Sequence, residues 1–336
     1  MEQEERKVVV VGAGVMGHGI AQTFAQGGFR VSLVDTTREA LDRGLKLMKS
    51  SLNTMANEGI LKEPIERILD RVSCTTFLKE GASDADIAVE AVFEDVEAKK
   101  EVFRQLDTYC PSKTLLASNT SFLNIFDFLE TSRPDKILIT HWYAPPQLIP
   151  LVDVVGGPKT DKANLEVMVQ ILRKIGKRPV LMKKFISGYA VNRIQHALNR
   201  EVNFLLDNDY VTPEQLDEAV QVGLAFRMMV VGVVARYDFG GISMRTRHPP
   251  GFEEVPLDYE YKKLQGLIDK GYLGVRTGRG FYDYKGKSEE ELYRERDIRL
   301  IEMLRTLRRL EARGPIEDPW PMNPDPKDSS HEREQM

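Results

Sequence analysis

The feature that most constrains the fold is a glycine-rich turn between a strand and a helix near the start of the chain. The segment KVVVVGAG carries four consecutive valines without polar alternation, which predicts a strand buried on both faces. The pattern GAGVMG follows, and GHGIAQTFAQGG continues with helical periodicity. A strand, a glycine-rich turn and a helix in this order predict the first unit of an open α/β sheet.

Each glycine of this turn meets a separate requirement of nucleotide binding. Gly12 permits the tight turn, Gly14 lets the backbone approach a pyrophosphate, and Gly17 lets the strand and helix pack closely. Asp35 ends the second predicted strand, where a carboxylate accepts hydrogen bonds from the adenosine ribose and repels a 2′-phosphate. The sequence therefore predicts NAD as the cofactor. Arg38 nearby leaves NADP open, and a glycine turn without a nucleotide is the simpler alternative.

The hydrophobic pattern divides the chain into an α/β part and a helical part. Strands alternate with helices at first, which predicts a doubly wound parallel sheet of the Rossmann type. The later pattern is helical, and Thr212 followed by Pro213 is a helix start signal. We predict a NAD-binding Rossmann domain over 1–183, an all-α C-terminal domain over 184–312 and a disordered, Pro-rich tail over 313–336.

Composition restricts the class of protein. The 336 residues are 42% hydrophobic and carry a formal net charge of −4, so we expect a globular chain without a nucleic-acid or membrane partner. No apolar run approaches the ~20 residues that cross a bilayer, and MEQEERK predicts neither a signal peptide nor a transit peptide. Cys74 and Cys110 form no CxxC pattern, so we expect a reduced, cytoplasmic setting and no metal site.

Polar side chains follow three of the predicted strands. These residues are Glu90, Glu94, Lys99, Ser118, Asn119, Ser121 and His141. Because ligands of open α/β sheets bind outside the carboxyl ends of the strands, we expect these side chains to converge. Serine and asparagine are also common in turns. If Ser121 stood alone, we would interpret it as an ordinary turn residue. The coincidence of Asn119, Ser121 and His141 at strand ends beside a nucleotide turn favours a functional site.

A histidine in this position suits the oxidation of an alcohol. Removal of hydride from carbon leaves a hydroxyl proton for a base, and histidine titrates near neutrality. Asp153 follows the apolar run LIPLV, so a carboxylate there requires a partner. We predict that His141 is the base and that Asp153 orients its imidazole. The alternative is that both are structural residues at the ends of strands.

These motifs together resemble the NAD-dependent 3-hydroxyacyl-CoA dehydrogenases, including the L-gulonate 3-dehydrogenase (lambda-crystallin) and carnitine dehydrogenase branch. The resemblance runs from Lys7 to about Tyr284 and is carried by VVVVGAGVMGHGIAQTFAQGGFRVSLVD, VEAVFEDVEAKKEVFRQLD, ASNTS, HWYAPPQLIPLVDVV, IGKRPVLMK, SGYAVNRIQHALNRE and GYLGVRTGRGFYDY. It implies NAD-dependent oxidation of the 3-hydroxyl of an acyl-CoA. It also implies that the helical domain binds substrate and forms a homodimer.

The resemblance implies roles for single residues. His141 corresponds to the catalytic base, Ser121 to the serine that hydrogen-bonds the substrate oxygen, and Asn192 to the asparagine that polarises the substrate carbonyl. Ser51 corresponds to a serine that contacts coenzyme A. The residues implied to contact NAD are Gly12, Gly14, Gly17, Asp35, Glu94, Lys99 and Asn119.

The sequence departs from the family pattern in four places. Asp153 replaces a glutamate and is shorter by about 1.5 Å. Ala144 replaces an amide that helps to hold the nicotinamide end. GLAFRMMVVGVVARYDFGG replaces a GxPxGPxE segment, and Glu58 replaces a lysine, where it would repel an adenosine 3′-phosphate. The last two departures leave open a small free 3-hydroxy acid or sugar acid as the substrate.

Other residues carry weaker hypotheses. In the divergent segment 224–247, three of the arginines are candidates for substrate binding. One of them could bind a free carboxylate of the substrate, although solvated surface residues are the simpler interpretation. These three arginines are Arg227, Arg236 and Arg245. His18 and His196 are expected to be structural or solvated. A non-enzymatic NAD-binding protein is a further alternative, against which the intact set of Ser121, His141 and Asn192 argues.

Overall fold

A single mixed sheet forms the centre of the computed structural model, which describes residues 6–234, 256, 260 and 262–311. In chain order its strands are β1 (Lys7–Val11), β2 (Arg30–Val34), β3 (Val72–Thr75), β4 (Ile87–Glu90), β5 (Leu115–Ser118), β6 (Ile137–Trp142), β7 (Leu151–Gly156) and β8 (Arg178–Leu181). Their spatial order is β3-β2-β1-β4-β5-β6-β7-β8. The order reverses between β1 and β4, which is the switch point where ligands bind in doubly wound folds.

The last two strands differ from the prediction of a wholly parallel sheet. The first six strands run parallel to one another, but β7 pairs antiparallel with β6, and β8 runs parallel to β7. Residues 143–150 connect β6 to β7. This connection is shorter than the dozen or so residues that a parallel crossover requires, so the chain reverses direction.

Helices cover both faces of the sheet. They are α1 (Gly17–Gln26), α2 (Arg38–Asn57), α3 (Ile65–Leu69), α4 (Leu78–Ala82), α5 (Val96–Tyr109), α6 (Ile125–Phe128) and α7 (Lys162–Lys174), with a 3₁₀ turn at Pro134–Lys136. Alternate valines of β1 serve different layers, because successive side chains of a strand point to opposite faces. Val8 and Val10 belong to the core cluster that contains α1 and α7, while Val9 and Val11 belong to the cluster that contains α5. The predicted Rossmann fold is therefore confirmed.

The chain after β8 is helical, as predicted. Its elements are α8 (Tyr189–Asp207), α9 (Pro213–Glu218), a π-helical segment (Ala219–Ala225), α10 (Phe226–Val231), α11 (Lys262–Asp269), a 3₁₀ turn (Val275–Thr277) and α12 (Glu289–Glu311). The predicted start at Thr212 is confirmed by a capping box with Gln215. Among the helices of the described residues, none has the length and apolar character needed to cross a membrane. The tail over 313–336 lies outside the described residues, and the domain boundary at 183 stays a prediction.

Helix α12 packs back onto α2 of the Rossmann domain. Ile301 is fully buried in a small cluster with Met55 and Leu148. At the C-terminal end of α2, Arg305 donates a hydrogen bond of 3.0 Å to the Glu58 carboxylate and a second one to its backbone carbonyl. The acidic residue that departs from the family pattern is thus paired with a cation from the last helix.

Candidate active site

The glycine turn has room for a ligand at one position and is closely packed at the other two. A side chain on Gly12, whose φ is +104°, would place its Cβ 2.5 Å from the Ala91 carbonyl oxygen, and one on Gly17 would lie 1.6 Å from the Gly12 oxygen. A Cβ on Gly14 would meet no protein atom within 4 Å. Packing within the described residues therefore does not require glycine at position 14, whereas close approach of a pyrophosphate to the start of α1 does.

Asp35 is held beside this turn at the end of β2. Its Oδ2 accepts a hydrogen bond of 2.7 Å from the Ala13 N–H, and its Oδ1 accepts one of 2.7 Å from the Thr36 N–H. Arg38, which left NADP open, donates instead to Asp42 at 3.0 Å. A fixed carboxylate next to the turn, with the nearby arginine paired elsewhere, fits an unphosphorylated adenosine ribose.

Glu94 organises the loop that follows β5. Its Oε1 accepts hydrogen bonds from the Thr120 hydroxyl at 2.6 Å, the Ser121 N–H at 2.9 Å and the Phe122 N–H at 2.8 Å. Burial by itself would raise the pKa of Glu94, but these hydrogen bonds and the nearby Lys99 outweigh it and lower the pKa. An ionised carboxylate thus fixes the backbone that presents Ser121.

Lys99 supports Glu94 from inside the protein. It is 1% exposed, and its Nζ lies 2.8 Å from Glu90 Oε1 and 3.3 Å from Glu94 Oε2. Ser118 donates to the other oxygen of Glu90 at 2.6 Å, so this buried charge is paired and hydrogen-bonded. The burial of Lys99 gives it a position behind Glu94, and its direct contact with NAD stays a prediction.

Asn119 links the ends of two strands. Its side-chain oxygen accepts a hydrogen bond of 2.9 Å from the Trp142 N–H, and its own N–H donates to the Glu90 carbonyl at 2.8 Å. The side chain therefore fixes β5 against β6 next to His141. Its predicted contact with NAD is not tested by these hydrogen bonds.

His141 stands at the centre of the site, where the structure brings Ser121 and Asp153 to its two ring nitrogens. It is 3% exposed and lies on β6 directly opposite Asp153 on β7. The Nδ1 atom is 3.4 Å from Asp153 Oδ2, and Nε2 is 3.4 Å from Ser121 Oγ. Both distances are at the long end of hydrogen bonding.

Two tyrosines that the sequence reasoning missed enclose the imidazole. Tyr143 contacts its edge and Tyr189 stacks on its face, each with ring centroids 4.5 Å from that of His141. The Tyr143 hydroxyl donates to Asp153 Oδ2 at 2.6 Å. The spacing of two residues from His141 was an available signal for Tyr143, since residues i and i+2 of an extended chain share a side.

Tyr189 also joins the helical region to the site. It begins α8 with a φ of +49°, which is unusual for an aromatic residue, and its hydroxyl donates to the Thr120 carbonyl at 2.7 Å. A Cβ on the preceding Gly188 would lie 3.4 Å from the Phe122 ring and 3.7 Å from Asn192 Cβ. Asn192, half-buried one turn into α8, therefore lies beside the loop that carries Ser121.

Ser51 is engaged in hydrogen bonds within the Rossmann domain. It is buried on α2, and its Oγ accepts hydrogen bonds from Gln22 at 3.2 Å and from Gln147 at 3.1 Å. These contacts join α1, α2 and the loop after β6. The structure uses Ser51 in internal packing, and its predicted contact with coenzyme A stays a prediction.

The loop that carries Ala144 is held by a buried lysine that the sequence reasoning missed. Lys177 donates to the carbonyls of Pro146 and Ile149, and its Nζ lies 5.4 Å from the centre of the Trp142 ring. Burial lowers the pKa of Lys177 to about 7. Lys177 therefore holds the loop that follows β6.

The remaining candidates lie apart from this constellation. His18 is buried, with its Nδ1 2.7 Å from the Gly14 carbonyl, and the exposed His196 has its ring centroid 5.7 Å from that of Phe122. Arg227 donates to the Gly223 carbonyl of its own helix at 2.7 Å. Arg236 and Arg245 lie outside the described residues. Among the residues that the structure describes, no cluster of His, Cys, Asp or Glu could hold a metal ion.

Replacing Gly14 tests the cofactor turn. We expect Gly14→Ala to leave the melting temperature unchanged, because its Cβ meets no protein atom, and to weaken NAD binding about tenfold or more. Gly17→Ala, whose Cβ would collide with Gly12, should instead lower the melting temperature. NADH fluorescence titration and thermal denaturation would measure both effects. Unchanged affinity in Gly14→Ala would contradict a pyrophosphate at this turn.

Replacing Glu94 tests whether its carboxylate stabilises the loop that follows β5. The pKa of Glu94 is lowered in the folded protein, so its stabilising effect is complete above the ordinary value of 4.5 and is lost as the pH falls through the folded value. We expect Glu94→Gln to cost about 1 kcal/mol at pH 7, a modest amount because the side chain is 34% exposed. Urea denaturation between pH 7 and 3.5 should show this difference shrinking below pH 4.5. A difference constant down to pH 3.5 would contradict the role of the ionised carboxylate.

The comparison with known proteins agrees with this geometry. Two family models match: the NAD binding domain of 3-hydroxyacyl-CoA dehydrogenase over residues 7–185 and its C-terminal domain over 188–284. The probable 3-hydroxybutyryl-CoA dehydrogenase of Bacillus subtilis is 34% identical over 290 residues, which cover 85% of this chain and 99% of that protein. The 5-formyl-3-hydroxy-2-methylpyridine 4-carboxylate 5-dehydrogenase of Mesorhizobium japonicum is 28% identical over 306 residues, 90% of this chain and 98% of that one.

Solved structures show the same similarity. A crystal structure of a 5-formyl-3-hydroxy-2-methylpyridine 4-carboxylic acid 5-dehydrogenase superposes with a TM-score of 0.77 at 26% identity, covering 90% of this chain and 98% of its own. FadB2 of M. tuberculosis gives a TM-score of 0.67 at 28% identity, with coverages of 83% and 99%. The chain therefore belongs to the 3-hydroxyacyl-CoA dehydrogenase family and is an NAD-dependent oxidoreductase that acts on a CH–OH group.

Proposed function

We propose that this protein oxidises the 3-hydroxyl of a 3-hydroxyacyl-CoA to the 3-oxoacyl-CoA, with His141 as the base. The observation that carries the proposal is the row formed by half-buried Ser121 and the buried pair His141 and Asp153, at the edge of the sheet where β6 ends and β7 begins, the same edge that carries the glycine turn. A base that is oriented by a carboxylate on one side and faces a hydroxyl on the other is the arrangement that proton removal from an alcohol requires.

Bound NAD supplies the acceptor for the hydride that leaves C3 of the substrate. The Ser121 hydroxyl orients the substrate oxygen towards His141 Nε2, which takes the hydroxyl proton. Asp153 accepts from Nδ1–H, so it selects the tautomer with a free Nε2 and stabilises the imidazolium that forms. In the reverse direction the same nitrogen returns the proton to the carbonyl oxygen.

Asn192 is proposed to act on the other carbonyl of the substrate. Its side chain has no hydrogen-bonding partner among the described residues, and it lies next to the Ser121 loop. An amide N–H directed at the thioester carbonyl would hold the substrate so that the orientation of C3 is fixed. Tyr143 and Tyr189 limit access of water to the imidazole, which strengthens these polar contacts.

Three observations support a thioester as the substrate. Relatives of high coverage are named as 3-hydroxybutyryl-CoA or hydroxyacyl-CoA dehydrogenases. Glu58, which would repel a phosphate, is paired with Arg305. In addition, Lys46, Lys49 and Arg294 line a surface cleft of about 300 Å³ between α2 and α12, although Glu290 pairs with Lys46 there at 3.5 Å. Cations at this surface suit the phosphates of coenzyme A.

A small free acid is a second candidate substrate. The protein with a TM-score of 0.77 is named for a pyridine carboxylate, and it matches 90% of this chain, against 85% for the Bacillus subtilis relative. Ser51, which the resemblance assigns to coenzyme A, is buried and accepts hydrogen bonds from Gln22 and Gln147 inside the protein. These observations favour the same chemistry on a free 3-hydroxy acid or sugar acid.

We also propose that the protein is a homodimer. Helix α8, the π-helical segment and α10 expose large apolar side chains, among them Ile194, Val222 and Phe226. Large apolar side chains exposed on several helices are typical of a subunit interface. Light scattering on the purified protein should give twice the mass of the chain, and Phe226→Glu should shift it to the monomer. A monomeric wild type would contradict the proposal.

Replacing His141 tests the base. We expect His141→Gln to lower turnover by about 10²–10⁴-fold, because the proton transfer is lost, and to leave NAD affinity unchanged. The exposed His196 provides a matched control, and His196→Gln should retain turnover. NADH formation would be followed with (S)-3-hydroxybutyryl-CoA, free 3-hydroxybutyrate and L-gulonate side by side. Full activity of His141→Gln on its best substrate would contradict the assignment of the base, and turnover of the free acids alone would contradict the thioester.

A further inference from the structure

The carboxylate that orients His141 has a second, closer partner. Tyr143 lies two residues beyond His141, and Asp153 is the cross-strand neighbour of His141 in the β6–β7 pair. The Tyr143 hydroxyl donates to Asp153 Oδ2 at 2.6 Å, and the same oxygen is 3.4 Å from His141 Nδ1. One carboxylate oxygen therefore serves both the phenol and the imidazole.

The two distances rank these interactions. A hydrogen bond from a hydroxyl to a carboxylate at 2.6 Å is short and strong, whereas 3.4 Å is near the limit for a nitrogen donor. Burial and the contact with Asp153 raise the pKa of Tyr143, so the phenol stays protonated and remains a donor. The negative charge on Asp153 that could stabilise a protonated His141 is thus partly taken up by Tyr143.

The other titratable groups around the imidazole do not share this carboxylate. Tyr189, which stacks on the ring from α8, donates its hydroxyl to the Thr120 carbonyl at 2.7 Å. Glu94 is directed at the backbone of the loop after β5 and is paired with Lys99. Among the described residues, Tyr143 is therefore the hydroxyl donor through which the charge on Asp153 is adjusted.

We propose that Tyr143 is a positioning residue that fixes Asp153 and limits how strongly this carboxylate stabilises the protonated form of His141. The inference rests on the proposed role of His141 as the base. Oxidation of an alcohol requires a neutral imidazole, and reduction of the ketone requires a protonated one. A phenol that draws charge from Asp153 favours the neutral form and extends oxidation to lower pH.

The experiment compares pH profiles of kcat/KM in both directions. In Tyr143→Phe, Asp153 loses its stronger donor and holds the imidazolium more tightly, so the acidic limb of oxidation should move to higher pH by about half a unit to one unit. The limb that limits reduction at alkaline pH should move in the same direction. A residue that only maintained packing would lower activity without moving either limb.

A matched control removes the same group elsewhere. Tyr282 donates its hydroxyl to Asp217 Oδ2, also at 2.6 Å, in the exposed helical region. Tyr282→Phe should therefore leave both profiles unchanged. If Tyr143→Phe also leaves them unchanged, the proposal is overturned.

A second variant keeps the proposal testable if Tyr143→Phe does not fold. Incorporation of 3-fluorotyrosine at position 143 alone preserves the shape of the side chain and makes the phenol more acidic, hence a stronger donor. The acidic limb of oxidation should then move to lower pH, opposite to the shift in Tyr143→Phe. A shift in the same direction as in Tyr143→Phe, or none at all, would count against the proposal.

His141→Gln in the same assay separates this inference from the proposed function. If His141→Gln is inactive and the profiles of the Tyr143 variants do not move, the inference about Tyr143 fails and the base remains. If His141→Gln retains wild-type activity, the base assignment itself fails. In that case a profile that depends on Tyr143 would have to arise from another group, and the inference fails with it.

Discussion

The antiparallel pairing of β6 with β7 is the constraint on which the candidate site depends. It sets His141 directly opposite Asp153, so the proposed base and its carboxylate share one rung of the sheet. Cross-strand neighbours have Cβ atoms only about 5 Å apart, which lets a short aspartate come within reach of the ring. A parallel β7 would have required a crossover of a dozen or more residues and a different neighbour for His141.

A second constraint holds the opposite side of the imidazole. The hydroxyl of Ser121 faces His141 because Glu94 accepts the backbone N–H groups of the loop that presents it. Glu94 in turn forms an ion pair with Lys99, which is buried and also paired with Glu90. The candidate site is thus assembled from carboxylates with different roles: two that hold backbone and charge inside the Rossmann domain, and one that we propose orients His141.

The surface that we propose binds the substrate includes helices that lie outside the sheet. Helix α12 lies beyond the region matched by the family models, yet it packs Ile301 against α2 and neutralises Glu58 through Arg305. From the sequence alone, the negative charge of Glu58 would be unfavourable for a bound phosphate. In the fold, Arg305 pairs with this charge. We propose that this surface, where α2 and α12 meet, decides between a thioester and a free acid as substrate.

Much of the fold and part of the candidate site could be predicted from the sequence, because these features have local causes. The glycine turn is an example: Gly12 and Gly17 are required by contacts within a few residues and with the adjoining strand, and Gly14 is open as expected. The alternation of strands and helices, and the cap at Thr212, likewise follow from short-range patterns. His141 was also expected at the end of a strand, and it lies near the end of β6, while its role as the base stays a prediction.

The sequence by itself determined the Rossmann fold and the nucleotide turn, since periodicity and glycine spacing are properties of neighbouring residues. Tertiary structure decided what lies within a few ångströms of those residues. It brought Tyr143 and His141 to the same carboxylate oxygen of Asp153. It also buried Ser51 between two glutamines and paired Glu58 with Arg305, 247 positions further along the chain. Such contacts depend on the direction of β7 and the docking of α12, and long-range geometry of this kind leaves no periodic signal in the chain.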